Sequence, residues 1–194
     1  MNILDYLTNN EKKRVKYLNI KKGNTLFKEE EICSYLGVVV SGSLVISSFS
    51  YNGKEIIYNE IKSNNVFGNN LLFSKEPYYR GDVIALENSH IALIDKGSLL
   101  FILQSNQKFL EEYLKLNAEF SKNLNVKIKI LSIQSAKERF LYYLFINGNK
   151  IKYTSISSLS KLINLERETL SRVVSKLVKE KKIEKKNHFI KVIS

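Results

Sequence analysis

From residue 106 to residue 132 the chain contains neither Pro nor Gly. Within that stretch Phe109, Tyr113, Leu116, Phe120, Leu124, Ile128 and Leu131 recur at steps of three and four, the period of one face of an α-helix. At 1.5 Å per residue such a helix is roughly 40 Å long. One small β domain cannot cover a helix of that length, so part of its apolar stripe is expected to meet a second chain. Tyr113, Leu116, Phe120, Leu124, Ile128 and Leu131 are the expected dimer interface. The alternative is a helix packed wholly on its own domain.

This helix divides the chain into parts with different periods. Before it, short runs rich in Val, Ile, Leu and Tyr alternate with turn signals, the pattern of antiparallel strands. Strands are predicted at 36–40, 44–49, 55–61, 82–86 and 90–94, with the strong hairpin signal Asn52-Gly53 between the second and third. Strands this short and this close point to a barrel or a double-sheet roll. A short helix is expected over residues 3–19. After the long helix, Ser135-Ala136-Lys137-Glu138 fits a capping box, in which Ser and Glu side chains satisfy free backbone N–H groups reciprocally. A new helix should begin there and run to about Ile146, leaving a hinge between Leu131 and Ser135. The fold class is therefore α+β. Residues 1–105 form the β-roll, 106–134 the dimerisation helix and hinge, and 135–194 a C-terminal domain.

Charge is concentrated in that last part. The formal net charge is +12, and residues 146–194 hold twelve Lys/Arg against four Asp/Glu, a net of +8. A quarter of the chain thus carries two thirds of the charge, which points to a polyanionic partner, nucleic acid or an anionic membrane surface. Cys33 is the single cysteine. It excludes a disulfide framework within the chain and a four-cysteine zinc or iron–sulfur site. The two histidines, His90 and His188, are far apart and carry no metal-ligand spacing. No apolar run approaches the roughly 18–20 residues of a membrane span, and the first residues lack a secretory pattern. A cytoplasmic protein without a membrane partner is expected. No nucleophile–base pair, phosphate loop or metal spacing supports an enzyme, so no catalytic residue, metal or cofactor is assigned.

The last 45 residues or so carry the most specific pattern. Residues 155–163 read as a helix with Ser155 at its N-cap. Asn164 suits the left-handed backbone of a tight turn. Residues 166–179 form a second helix, with Leu170, Val173, Val174 and Leu177 on the buried face and Arg167, Glu168, Ser171, Arg172 and Ser175 on the other. Two alternating segments, 183–185 and 189–193, follow as a hairpin wing. The stretch Leu165-Glu166-Arg167-Glu168-Thr169-Leu170-Ser171-Arg172 resembles the recognition helix of the cyclic-AMP receptor/fumarate-nitrate regulator (Crp/Fnr) family, one member of which is a standard helix-turn-helix example. The order of parts is also similar over essentially the whole chain: a cyclic-nucleotide-binding-like β-roll, a long central helix, a hinge, and a winged helix-turn-helix.

That resemblance implies double-stranded DNA as partner, a homodimer, and a half-site close to TGTGA in an inverted repeat. RNA polymerase would be a further partner if the protein activates transcription. Arg donates twice to guanine and Glu accepts from cytosine N4. Arg167 and Arg172 are thus the candidate guanine readers, and Glu168 the candidate cytosine reader. Ser155, Thr169, Ser171, Ser175, Lys176 and Lys186 are candidate phosphate contacts, which position without specifying. The competing account is that Glu168 and Arg172 form only a surface i,i+4 ion pair, worth about 0.3–0.5 kcal/mol. The chain departs from the family at Glu166, where a small N-cap residue is usual.

Residues 66–73 and 77–83 resemble the family's effector-pocket cassette. Members that bind cyclic AMP use a Gly-Glu pair and, about ten residues later, an Arg that pairs with the phosphate. Gly68 is retained, in its turn. Asn69, followed by Asn70, stands where the Glu would be, Tyr79 where the Arg would be, and Arg80 is one residue away, on the reverse face of a strand. The helix position that would offer a hydroxyl to the base falls nearest Leu124. These departures argue against cyclic AMP and leave an unidentified small molecule, or none, as effector. Three rivals remain: a ligand-binding module acting on a protein partner without DNA, a membrane-surface protein, and an enzyme.

Overall fold

In the computed structural model, which describes residues 2–53 and 55–193, the chain forms two units, residues 1–118 and 119–194. In the first, a 3-10 turn at Ile3–Tyr6 precedes the short helix α1 (Asn9–Lys12). The strands follow as β1 (Lys16–Ile20), β2 (Thr25–Phe27), β3 (Tyr35–Ser41), β4 (Ser43–Phe49), β5 (Glu55–Lys62), β6 (Val66–Phe67), β7 (Asp82–Ala85) and β8 (Ser89–Asp95). They pair antiparallel in two four-stranded sheets, β1-β8-β3-β6 and β2-β7-β4-β5. This is the double-sheet roll that the turn spacing implies. Its core joins Leu36, Val38, Leu44, Ile61, Phe67, Val83 and Ile91, all buried.

Four elements of this unit differ from the sequence expectation, the short strands β2 and β6 among them. The helix expected over 3–19 ends at Lys12, and Lys16–Ile20 is a strand instead. There β8 offers a complete set of backbone partners, with Leu18 opposite Ile91 and Ile20 opposite Ser89, which outweighs a weak local helical pattern. Residues 96–105 form a separate helix, α2 (Lys96–Ser105). Asp95 caps it by accepting from Ser98 N at 3.0 Å, and Leu99 and Ile102 face the core. The long helix α3 (Gln107–Ser132) then begins. Asn106 starts it, accepting from Phe109 N at 3.0 Å and donating to Tyr6 O and Glu11 Oε2.

The second unit comprises the end of α3, α4 (Ala136–Ile146), β9 (Lys150–Lys152), α5 (Ile156–Leu162), α6 (Arg167–Lys179), β10 (Ile183–Lys186) and β11 (Phe189–Val192). The serine half of the predicted capping box forms, Ser135 Oγ accepting from Glu138 N at 3.3 Å. The wing pairs as expected. It gains a third strand that the sequence reading did not include, in the order β10-β11-β9. Phe140, Leu144, Leu159, Ile163, Leu170, Val174, Leu177 and Ile190 make the core.

The six residues expected at the dimer interface divide by position. Tyr113 is buried in the first unit's own core and Leu116 packs against it. Phe120 is half-buried. Leu124, Ile128 and Leu131 are 44%, 63% and 40% exposed, and so is Leu114, at 57%.

Candidate functional site

The helix-turn-helix is built from strong local signals. Ser155 Oγ accepts from Ser158 N at 3.0 Å and Ser158 Oγ accepts from Ser155 N at 3.0 Å, closing a capping box at the start of α5. Asn164 has φ of 49°, the left-handed turn that lets α6 leave in a new direction. Glu166, at the N-cap of α6, makes no side-chain cap hydrogen bond. Leu170, Val174 and Leu177 are buried and Val173 is half-buried. This leaves the opposite face to Arg167, Glu168, Ser171 and Arg172, which together line an open recess of about 370 Å3.

Among the described residues no ion pair joins Glu168 to Arg172. Arg172 Nη2 instead donates to Thr169 Oγ1 at 3.4 Å. The candidate base readers are therefore brought together with their charged ends available. Thr169 is half-buried beneath Arg172, while Ser155, Ser171, Ser175, Lys176 and Lys186 are exposed. Lys186 Nζ lies 2.7 Å from Glu184 Oε1. That contact raises the Lys186 ammonium and lowers the Glu184 carboxyl from their ordinary values.

The structure adds a second open recess. Asn187, with φ of 45°, turns the wing. Tyr153 holds that turn from the other side: its hydroxyl donates to Asn187 O at 3.0 Å, and its N–H donates to His188 O at 2.9 Å. The Tyr153 and His188 rings meet edge-on at 6.0 Å. Lys152, Tyr153, Thr154 and His188 then line a recess of about 430 Å3, directly before the Ser155 cap. Sequence reading missed Lys152, Thr154 and His188 as neighbours. The only signal was their place before an N-cap and at a wing turn, and β9, which joins them, was not predicted.

In the β-roll, Gly68 has φ of 77°, and a Cβ there would meet Tyr35 O at 2.5 Å, so glycine is required. Asn69 is buried, and its Nδ2 donates to Asn117 Oδ1 at 3.0 Å. Asn117 Nδ2 donates in turn to Tyr113 O at 2.8 Å. Asn117 of α3 thus meets the cassette, two turns before Leu124. Leu124 lies outside this unit. Helix periodicity alone leaves that register undetermined. Asn70 is exposed.

Tyr79 is 1% exposed and stacks on Phe27 at 4.9 Å. Its hydroxyl lies against the Cys33 thiol without a conventional hydrogen-bond partner. Burial first, and then the thiol, push its ionisation far above the ordinary tyrosine range. Burial likewise raises Cys33. Arg80, one residue on, is 64% exposed and faces Glu76 at 3.6 Å. The cassette position next to the solvent-facing arginine is thus occupied by a packed aromatic ring, with Phe27 also contacting Phe67 and Tyr35. Among the described residues no group of three His, Cys, Asp or Glu could hold a metal ion, and no helix is long and apolar enough to cross a membrane.

The family model of the cyclic nucleotide-binding domain matches residues 17–106. An anaerobic regulatory protein of Bacillus subtilis is 25% identical over 118 residues, 61% of this chain and 50% of that protein, so the match spans half of that relative's length. A putative HTH-type transcriptional regulator of Porphyra purpurea is 26% identical over 162 residues, 78% of this chain and 68% of the relative. The solved structure of a CooA variant from Carboxydothermus hydrogenoformans superposes with a TM-score of 0.76 at 17% identity, covering 99% of this chain and 91% of that one. That last likeness is one of fold.

Proposed function

We propose, from the likeness to transcription regulators and to the cyclic nucleotide-binding domain, that the chain is a regulator of the Crp/Fnr type, a homodimer that reads a TGTGA-like inverted repeat in the DNA major groove without control by cyclic AMP. The observation that carries this reading is the face of α6. Arg167, Glu168, Ser171 and Arg172 share one open surface, and no ion pair among the described residues links Glu168 to Arg172. Two guanidinium forks and one carboxylate at the N-terminal half of a recognition helix match guanine and cytosine edges. The phosphate contacts would come from Ser155, Ser171, Ser175, Lys176 and Lys186, with Thr169 acting through Arg172. Lys152, Thr154 and His188 extend that set.

Two such heads must sit about one DNA turn apart, roughly 34–36 Å. The exposed Leu124, Ile128 and Leu131 on α3 offer the apolar seam that would pair two chains. The hinge at residues 132–135 would set the separation of the heads, and any effector would act by shifting that equilibrium. Independence from cyclic AMP is supported by Asn69, which is engaged with Asn117, and by Tyr79, whose ring cannot supply a cation to a phosphate. Activation or repression would then depend on promoter position and on contact with RNA polymerase.

The test is a titration of the protein into a duplex carrying TGTGA and its inverted repeat about six base pairs apart, beside a scrambled duplex, at about 150 mM salt. Preference for the repeat without added effector is the expected result. Equal weak binding to both, unchanged by cyclic AMP, would reject the half-site.

A further inference from the structure

A helix C-terminus leaves carbonyl groups without intrahelical partners. Two such ends in the second unit are satisfied by one side chain. Arg139 Nε donates to Ile133 O at 2.8 Å and Nη2 to Leu131 O at 3.4 Å. Its Nη1 donates to Asn164 O at 2.8 Å and to Ile163 O at 3.3 Å. Leu131 and Ile133 belong to the last turn of α3 and the hinge. Ile163 and Asn164 are the end of α5 and the left-handed turn residue just before α6.

We propose that Arg139 is a positioning residue that couples the hinge to the DNA-reading helix, so that the two segments move as one element. The consequence for DNA rests on the function proposed above, but the coupling itself does not. Only a planar guanidinium with five fixed donors can reach four carbonyls in two directions; a lysine ammonium is a single point on a flexible stem. Among the described residues no ion pair involves Arg139, so no carboxylate draws it from this task. A second tie runs from the same turn of α4. Lys137 Nζ lies 3.2 Å from Glu180 Oε2, and Glu180 is the C-cap of α6. The first turn of α4 therefore holds α6 near both ends, through the turn before Arg167 and through the cap after Lys179. A hinge shift that moves Leu131 and Ile133 must either carry the turn at Ile163 and Asn164 with it or break the guanidinium contacts. Interfaces of this kind switch between discrete arrangements rather than deform continuously.

Amide hydrogen exchange on the full chain tests the coupling. In wild type, the hinge at 131–135 and the turn at 163–166 are expected to exchange through one opening, with the same dependence on denaturant. Different dependences would overturn the proposal without recourse to any variant. In Arg139→Lys, both segments should exchange about tenfold faster, the size expected for losing charge-assisted hydrogen bonds, while amides of β8 stay unchanged. Faster exchange in only one segment, or in neither, overturns the coupling. The same variant should lose about tenfold in preference for the repeat over scrambled DNA. The salt dependence of its binding should stay as in wild type, because the arginine is spent on carbonyls and not on phosphates. If wild-type protein prefers no duplex, the DNA reading fails while the exchange result still decides the coupling.

Discussion

Arg172 donates through Nη2 to Thr169 Oγ1 at 3.4 Å rather than pairing with Glu168 on the adjacent turn. Thr169 thus steadies the arginine from below and leaves the rest of its donor fork free. If this fork reads guanine, Arg172→Ala removes sequence preference and costs about 1–3 kcal/mol on the specific site, with little change on scrambled DNA. Thr169→Val should cost less, since it removes a support and not a reader. Competition binding against both duplexes measures each. Equal affinity of Arg172→Ala and wild type for the repeat would remove Arg172 from the reading set.

The second prediction concerns the β-roll. Titration calorimetry with cyclic AMP is expected to give no binding heat up to millimolar nucleotide. The Tyr79 hydroxyl is buried without a conventional partner, and such a group contributes desolvation cost with little return. Tyr79→Phe is therefore expected to leave thermal stability unchanged or to raise it by up to about 1 kcal/mol. A clear loss of stability would mean that the hydroxyl makes a stronger interaction with Cys33 than its geometry implies.

The exposed stripe on α3 yields a third. Replacing Leu124 and Ile128 together by Glu puts charge on surface that is 44% and 63% exposed in the single chain. The protomer should therefore keep its fold, while self-association weakens by at least about tenfold, the effect of burying unpaired charge at an interface. Sedimentation equilibrium reads the association, and circular dichroism the fold. A variant that stays dimeric would move the interface elsewhere.

A pH effect follows from the cap of α2. Asp95 accepts from Ser98 N and then from the Ser98 side chain, and these bonds hold its carboxyl below the ordinary aspartate value. Its folded value is depressed, so its contribution is present above the unfolded value and is lost as pH falls through the folded one. At neutral pH, Asp95→Ala should cost about 0.5–1 kcal/mol, the lower part of the range for an exposed cap. The gap between variant and wild type should close as the carboxyl protonates in strong acid. Asp95→Asn keeps an acceptor and should show the smaller loss, without that pH dependence. Thermal melts of the three chains across the acid range supply the comparison.

Much of the candidate site was legible in the chain because it is built from local rules. The Ser155 cap, the left-handed Asn164 and the apolar spacing of Leu170, Val174 and Leu177 are each encoded within a few residues. Together they place Arg167, Glu168 and Arg172 on the free face. The period of α3 and the hairpin at Asn52-Gly53 are local in the same sense.

The local residue pattern thus specifies the elements whose periodicity and caps are self-contained. Tertiary structure alone decided where distant segments meet. Residues 16–20 are a strand because β8 supplies their backbone partners. Asn117 faces Asn69 because the roll sets the register of α3 against the cassette. Gly37 is required because the Phe67 ring fills the space a Cβ would take. Arg139 finds its four carbonyls only after α3, α4 and α5 have packed. The physical reason is common to all four. A helix satisfies its backbone within its own segment, whereas a strand edge, a buried amide, a ring or a guanidinium takes its partner from wherever the fold brings one.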